Sequence, residues 1–196
     1  MRVIGGTYRG RRLRTIGGQT VRPTSDRLRE TLFNILSGDV AGSSFLDICA
    51  GSGAVSIEAI SRGAARATMI EISRRTCAVI EENLKSLGIS SKSLVINSDA
   101  LAALKRIEAS GRRFDIIFFD PPYGSDLYSK VMAFLGSRDV VEPGGIIIVE
   151  HRAKMPPEDV DGLHLYRRLK QGESALAFYE RSQKPEARSQ KPEGGC

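Results

Sequence analysis

Apolar residues recur along this chain in two patterns, short continuous runs and longer stripes at helical spacing, and from residue 44 onward the two alternate. The runs predict five strands, at 44–49, 67–72, 93–97, 114–119 and 145–150. The stripes predict four helices between them, at 54–62, 73–87, 99–110 and 127–135. Continuously apolar strands that alternate with helices are typical of a doubly wound, mostly parallel α/β sheet with both faces covered.

The first forty residues do not follow this alternation. Residues 1–22 are rich in glycine and lack helical periodicity, which predicts a small N-terminal β-rich arm or hairpin. A leading helix follows and extends to Leu36, and its free amides can be capped by Thr24, Ser25 or Asp26.

The C-terminal residues also differ from the central part of the chain. Segments 163–169 and 175–181 predict an antiparallel β-hairpin. Residues 182–196 are polar and lie in a stretch that repeats Arg-Ser-Gln-Lys-Pro-Glu, so we expect a disordered tail. The expected organisation is an arm over 1–22, an α/β domain with its leading helix over 23–181, and the tail.

The fourth predicted strand ends at the tetrapeptide Asp-Pro-Pro-Tyr. The carboxylate of Asp120 can accept a hydrogen bond from an amine, and Pro121 and Pro122 remove two N–H donors while leaving carbonyl acceptors. Tyr123 offers a flat face on which a base can stack. This combination suits the exocyclic amine of a nucleobase, although a proline-rich turn after a strand explains the tetrapeptide equally well.

The first strand runs through Asp47 into a turn that contains Gly51 and Gly53. Glycines let a ligand approach the backbone, and the following helix N-terminus offers free amides. The dinucleotide-binding fingerprint requires a third glycine where this chain has Ser56, and Asp47 would repel a pyrophosphate. The turn therefore favours a ligand that has an amino group and no phosphate, such as S-adenosylmethionine.

Further carboxylates follow the next two strands. Glu71 ends the second strand, where it can accept hydrogen bonds from both ribose hydroxyls or be a plain surface charge. Asp99 follows the third, where it can bind an adenine amine or only cap a helix. Because the carboxyl ends of parallel strands meet at one edge of the sheet, we expect these groups to converge there with the tetrapeptide. The candidate cofactor residues are Asp47, Ala50, Gly51, Gly53, Glu71, Ile72, Asp99 and Ala100.

The net charge of +6 lies wholly in the first thirty residues, where eight arginines stand against two acids. Arginine binds phosphate through a bidentate fork and stacks on bases, so this segment predicts a polyanionic partner. A solubilising surface is the alternative. The candidate residues for contact with this polyanion are Arg2, Arg9, Arg11, Arg12, Arg22, Thr24, Arg27 and Arg29.

The three cysteines and two histidines are scattered and form neither a zinc-binding spacing nor a disulfide framework. No apolar stretch has the length of a membrane span, and the first residues lack the apolar region of a signal peptide. We expect a cytoplasmic monomer that needs no metal and contacts no membrane.

These segments resemble the class I S-adenosylmethionine-dependent methyltransferases and, more narrowly, the RsmD family of bacterial enzymes that methylate guanine N2 in 16S rRNA. Segment 22–33, with its Arg-Pro-Thr-x-Asp-Arg-x-Arg-Glu-Thr pattern, is specific to that family, whereas the glycine turn and Asp-Pro-Pro-Tyr are shared more widely. The chain departs from the family pattern at Cys49, where phenylalanine is more usual, and in its repeated tail. The segments that carry the resemblance are 2–11, 22–33, 46–58 and 120–123.

The resemblance implies a seven-stranded sheet whose last strand is antiparallel, with S-adenosylmethionine at the glycine turn and residues 120–123 at the target base. It implies a guanine of the small ribosomal subunit, or of its assembly intermediate, as the substrate. Two alternatives stay open. Asp-Pro-Pro-Tyr serves adenine equally well, which allows an adenine-N6 DNA or RNA methyltransferase, and the arginines alone allow a non-catalytic RNA-binding ribosome-assembly factor.

Overall fold

The computed structural model describes residues 1–15, 25–122, 126–155 and 159–182. Predictions that concern Arg22, Thr24, Tyr123 and the tail from residue 183 onward lie outside these ranges.

Seven strands form one sheet in the ranges described. They are β1 (Ser44–Ile48), β2 (Arg66–Glu71), β3 (Ser93–Asn97), β4 (Phe114–Phe119), β5 (Val141–Arg152), β6 (Leu163–Gln171) and β7 (Ser174–Arg181). The strand order is β3-β2-β1-β4-β5-β7-β6. Strands β1 to β5 pair in parallel, and β7 is antiparallel to both β5 and β6. The predicted doubly wound sheet with a C-terminal antiparallel hairpin is therefore confirmed.

Helices cover both faces of this sheet. The helices are α1 (Asp26–Ile35), α2 (Ala54–Ser61), α3 (Arg74–Leu87), α4 (Ala100–Ala109) and α5 (Leu127–Ser137), with a single 3₁₀ turn at Ser90–Lys92. Helices α1, α2 and α3 pack on one face in the first apolar cluster, and α4 and α5 pack on the other in the second. None of the helices in these ranges is long and apolar enough to span a membrane.

The helix ends follow the local signals in the sequence. Of the three candidate caps of α1, Ser25 is the cap, since its Oγ accepts a hydrogen bond from the Leu28 amide at 3.1 Å. Gly88 ends α3 in the left-handed conformation, with φ of 69°. Strand β5 is longer than predicted, because its pairing with β4 begins at Val141 and is irregular before Ile146.

Residues 1–15 lie against α2 and contribute to the core. Their one antiparallel bridge joins Arg2 to Arg12, and no regular strand is assigned in this segment. Val3 and Leu13 are buried in the first apolar cluster. Gly6, with φ of 72°, approaches the helix so closely that a Cβ would lie 1.8 Å from the Ser61 carbonyl oxygen. The N-terminal segment is thus packed on the sheet domain.

Candidate active site

The carboxyl ends of β1, β2 and β4 lie side by side at one edge of the sheet. Ile48 is paired with Ile70 on one side and with Phe119 on the other, which brings the residues that follow these strands together. The Asp120 amide also donates a hydrogen bond to the Ile48 carbonyl at 3.3 Å. The glycine turn and the first residues of the Asp-Pro-Pro-Tyr tetrapeptide are therefore neighbours, as the strand pattern predicted.

The glycine turn after β1 is a run of left-handed residues. Cys49, Gly51 and Gly53 have φ of 66°, 53° and 73°. A Cβ at Gly51 would meet no atom within 4 Å, whereas one at Gly53 would lie 3.1 Å from Ile80. Gly51 thus offers open space for a ligand, and Gly53 is required by its conformation and by helix packing.

Cys49 holds this left-handed conformation although it carries a side chain, which stores backbone strain beside the site. Burial, and next the Glu71 carboxylate, raises the pKa of the Cys49 thiol to about 12. The residue is therefore an uncharged thiol at neutral pH and not a nucleophile. The strain itself had no signal in the sequence.

Glu71 at the end of β2 fixes the turn from the side. Its two carboxylate oxygens accept hydrogen bonds from the amides of Gly51, at 3.0 Å, and Ser73, at 2.8 Å. The adjacent Ile72 is 71% exposed, which is unusual for a large apolar side chain. Asn97, which sequence reasoning missed, donates to the Ile72 carbonyl at 2.8 Å and holds this residue in position. Glu71 and Ile72 together offer a carboxylate beside an exposed apolar surface.

Asp99 is the N-cap of α4, since its side chain accepts a hydrogen bond from the Ala102 amide at 3.0 Å. This confirms the helix-capping interpretation. The role of Asp99 toward an adenine stays a prediction. Asp99 itself is exposed, and the neighbouring Ala100 is buried.

Asp47 is buried within β1, and its carboxylate accepts a hydrogen bond from the Ser56 hydroxyl at 2.8 Å. Ser56 thus donates a hydrogen bond to Asp47 from the position where a dinucleotide-binding turn has glycine. Burial raises the pKa of Asp47 to about 7, against the opposing effect of the Ser56 hydrogen bond. Asp47 therefore titrates near neutral pH.

Asp120 has a second carboxylate beside it. Glu150, which is 3% exposed, ends the apolar part of β5, and the pairing of Phe119 with Val149 brings it next to Asp120. Burial, and next the charges of Glu150 and Asp47, raises the pKa of Asp120 well above its ordinary value. Sequence reasoning missed Glu150, although its signal, an acid after a continuous apolar run, is the one that identified Glu71.

The two prolines after Asp120 differ in exposure. Pro121 is buried and Pro122 is exposed, while Tyr123 lies outside the described ranges. The buried carboxylates of Asp47 and Glu150 and the half-buried carboxylate of Asp120 form an acidic site at the start of the tetrapeptide. Such a site favours a ligand that donates hydrogen bonds or carries positive charge.

The predicted RNA-contacting arginines divide into two groups. Arg29 is completely buried, pairs with Asp26 at 3.1 Å and donates to the Arg2 carbonyl at 2.6 Å, so it cannot contact RNA in this structure. Burial lowers its pKa, against the opposing effect of Glu58. Arg11 is exposed but donates to the Ser86 carbonyl at 3.3 Å.

Four further predicted arginines are exposed, namely Arg2, Arg9, Arg12 and Arg27. Three of them, Arg2, Arg9 and Arg27, line a cleft of about 560 Å³ together with Arg62, Asp26 and Glu30. This cleft lies at the N-terminal segment and does not include the strand-end site. It forms a basic surface beside α1 and α2.

A family model described as conserved hypothetical protein 95 matches residues 1–180 of the chain. The ribosomal RNA small subunit methyltransferase D of Escherichia coli K12 is 35% identical over 188 residues, which cover 95% of this chain and 93% of the relative. The solved structure of a candidate methyltransferase, yhhF, from Escherichia coli aligns with a TM-score of 0.82 and 34% identity, covering 94% of this chain and 99% of that one.

A more distant solved structure, SMU.776, is a candidate methyltransferase complexed with SAH. It aligns with a TM-score of 0.61 and 16% identity, covering 78% of this chain and 48% of that one, and thus shares the fold.

Proposed function

The chain belongs to the RsmD family, whose model carries the description conserved hypothetical protein 95, and from this premise we propose that it is an rRNA methyltransferase of the small ribosomal subunit. The methyl group passes from S-adenosylmethionine to the exocyclic N2 amine of a guanine in 16S rRNA. The substrate is the subunit or its assembly intermediate, which implies a cytoplasmic location.

One observation carries this proposal: Asp120 lies beside the buried Asp47 and the glycine turn at a single edge of the sheet. A carboxylate followed by proline carbonyls suits an amine that must lose a proton. A glycine turn beside Glu71 suits a ligand with ribose hydroxyls. The two halves of a methyl transfer are therefore adjacent.

The residues at this edge fit S-adenosylmethionine. Each oxygen of Glu71 accepts one amide and keeps lone pairs for a ribose hydroxyl. The exposed Ile72 supplies an apolar surface for the adenine, and the open side of Gly51 allows close approach of the ligand. When bound, the cofactor supplies a methyl group on a reactive sulfonium.

The target nitrogen needs activation, because its lone pair is delocalised into the guanine ring. The Asp120 carboxylate and the Pro121 carbonyl accept hydrogen bonds from the two N–H groups of the guanine amine. These hydrogen bonds direct the nitrogen lone pair toward the methyl group as the nitrogen pyramidalises. The guanine leaves its stack to reach this edge, and Tyr123 stacks on it. The chain thus supplies alignment and charge stabilisation.

The raised pKa of Asp120 has a consequence for this mechanism. The nitrogen becomes positively charged as it is methylated and then loses a proton, and a carboxylate with a raised pKa is a better base for that proton. The same carboxylate must be ionised before it can accept the N–H group. Turnover should therefore fall as the pH decreases through the raised pKa of Asp120.

The deciding experiment incubates the protein with methyl-labelled cofactor and purified small ribosomal subunits, followed by nucleoside analysis of the RNA. N2-methylguanosine is the expected product. N6-methyladenosine would replace the proposal with the adenine alternative. Binding of RNA without incorporation of label, in subunits that lack the modification, would support the non-catalytic assembly factor.

A further inference from the structure

Strand β6 is an edge strand with a strongly basic surface. It carries Arg167, Arg168 and Lys170 and contains no aspartate or glutamate. All three cations are exposed. Because the chain beyond its first thirty residues has no net charge, this concentration of one sign is a local feature.

An aromatic side chain lies on the same edge strand. The pairing of β6 with β7 shifts in register between Leu165 and Arg167, so that Tyr166 occupies a bulge. Tyr166 is 44% exposed, and its ring centroid lies 6.3 Å from that of Phe178. The Arg167 guanidinium lies 5.9 Å from the centroid of the Phe178 ring. Tyr166 and Arg167 therefore lie on the face of the sheet that carries Phe178, whereas Arg168 and Lys170, which pair with Ala177 and Ala175, lie on the opposite face.

The position of β6 relates this surface to the active site. Strands β5 and β6 are both antiparallel to β7, so they run in the same direction. The carboxyl end of β6, with Lys170, thus lies at the same edge of the sheet as Asp120. Three strand spacings separate β6 from β4, a distance of about 14 Å. RNA bound at Asp120 can extend to β6 within a few nucleotides.

Charged residues and bulges also protect edge strands from pairing with other chains. That explanation accounts for the bulge, but it works with charges of either sign. An exposed tyrosine in the same strand opposes it, because aromatic residues favour strand pairing. Exposed cations and an aromatic ring along one open strand are instead typical of single-stranded nucleic-acid binding.

We propose that β6 is a second RNA-binding surface, which takes the rRNA backbone that flanks the target guanine. The RNA runs along the open edge of β6, where Arg168 and Lys170 pair with phosphates from one face of the sheet and Tyr166 stacks on an unpaired base from the other. This inference rests on the proposed function, and it adds a surface that the charge of the N-terminal segment did not indicate. The RNA is then held on two sides of the strand-end site.

The test compares two double variants with the same change in charge. Arg168→Gln with Lys170→Gln removes the proposed contacts, and Lys85→Gln with Lys92→Gln removes two exposed lysines near the start of β3, at the opposite edge of the sheet. The affinity for 16S rRNA and for small subunits is measured over a range of salt concentrations. We expect the β6 variant to bind about tenfold more weakly, with a salt slope lower by about 1.4 for two phosphate contacts. The control variant should bind as the unmodified protein does.

Substitutions of Tyr166 provide a second test. Tyr166→Phe keeps the stacking face and should bind RNA normally, whereas Tyr166→Ala should bind about fivefold more weakly. Thermal unfolding of each variant verifies that the fold is retained. Equal RNA affinity of the β6 and control double variants would overturn the inference, as would loss of affinity in Tyr166→Phe.

This outcome is separable from a failure of the proposed function. If the unmodified protein methylates a guanine and the β6 variant matches the control, only the second surface is wrong. If the unmodified protein transfers no methyl group to RNA, the proposed function is wrong, and the second surface falls with it.

Discussion

At the carboxyl edge of the sheet, Asp47, Asp120 and Glu150 are far apart in the sequence and lie beside one another, with Asp47 and Glu150 buried and Asp120 half-buried. In the N-terminal segment the arginines are neighbours in the sequence and are spread over several environments. Burial raises the pKa of Asp47 and Asp120 and so gives these acids a chemistry that an exposed carboxylate lacks. Only some of the arginines remain available to a partner, because others are used within the fold.

One buried acid attaches the N-terminal segment to α2. Glu58 of α2 is completely buried and accepts hydrogen bonds from the amides of Ile4, at 2.8 Å, and Gly5, at 2.7 Å. It also pairs with Arg62 at 2.9 Å and lies 3.8 Å from the Arg29 guanidinium. The arginine-rich segment is therefore attached to the sheet by an acid that itself takes no part in the active site.

Loss of the Asp120 carboxylate should give the largest effect. We expect Asp120→Ala to lower the rate of methyl transfer by about 10³-fold, since it removes the acceptor of the amine proton. Asp120→Asn should also be slow, because an amide cannot take up that proton. Single-turnover transfer to small subunits measures the rate, and calorimetry should show unchanged cofactor affinity. Asp159→Ala, at an exposed site, is the control, and retention of turnover in Asp120→Ala would exclude the assigned role.

Removal of Glu58 tests the attachment of the N-terminal segment. Glu58→Ala leaves the buried Arg29 without its partner in α2 and two backbone amides without an acceptor, which should cost about 3–5 kcal/mol of stability. The free energy of unfolding from denaturant titration measures this cost. Glu81→Ala, on the exposed side of α3, should change it by less than about 0.5 kcal/mol. A similar small change in Glu58→Ala would mean that the segment is held by its apolar contacts alone.

The buried carboxylate of Asp47 should lower the stability of the folded protein when it is ionised. Its pKa is raised in the folded protein, so the folded state binds the proton more tightly and stability is lost as the pH rises from about 4 through about 7. We expect Asp47→Asn to be more stable by about 2 kcal/mol at pH 8, which is about half of the full effect of the pKa shift because a buried amide is also costly. At pH 4 this pH-dependent gain should vanish.

Asp39→Asn, at an exposed site, is the control for this pH series. Cofactor affinity should fall in Asp47→Asn while stability rises. A stability difference between Asp47→Asn and the unmodified protein that is equal at pH 4 and pH 8 would contradict the raised pKa.

The smallest effect is expected from the exposed arginines. Arg9→Gln with Arg27→Gln should weaken RNA binding by about fivefold and reduce the salt slope, because both side chains line the basic cleft. Arg14→Gln should have little effect, since Arg14 is already paired with Glu82 at 2.7 Å. Filter binding to 16S rRNA separates the two cases. Equal losses per removed charge in the two variants would mean that total charge, and not position, governs binding.

Several features of the site could not be predicted from the sequence. Arg29 has the same residue type as its exposed neighbours, and only the packing of α1 against α2 buries it. Glu150 follows an apolar run as Glu71 does, but its closeness to Asp120 depends on the order of β4 and β5 in the sheet. The left-handed conformation of Cys49 is visible only in the folded turn, because no pattern in the sequence indicates it.

The alternation of apolar runs and stripes was sufficient to predict the strands, the helices and the edge of the sheet at which Asp47, Glu71 and Asp120 meet. Periodicity is a local property, and parallel strands bring their carboxyl ends to one edge whatever the details of packing. The tertiary structure decided which charges are buried, which are paired and which are exposed. The reason is physical: the pKa of a carboxylate and the availability of an arginine depend on neighbours that are distant in the chain, and only the folded sheet brings those neighbours together.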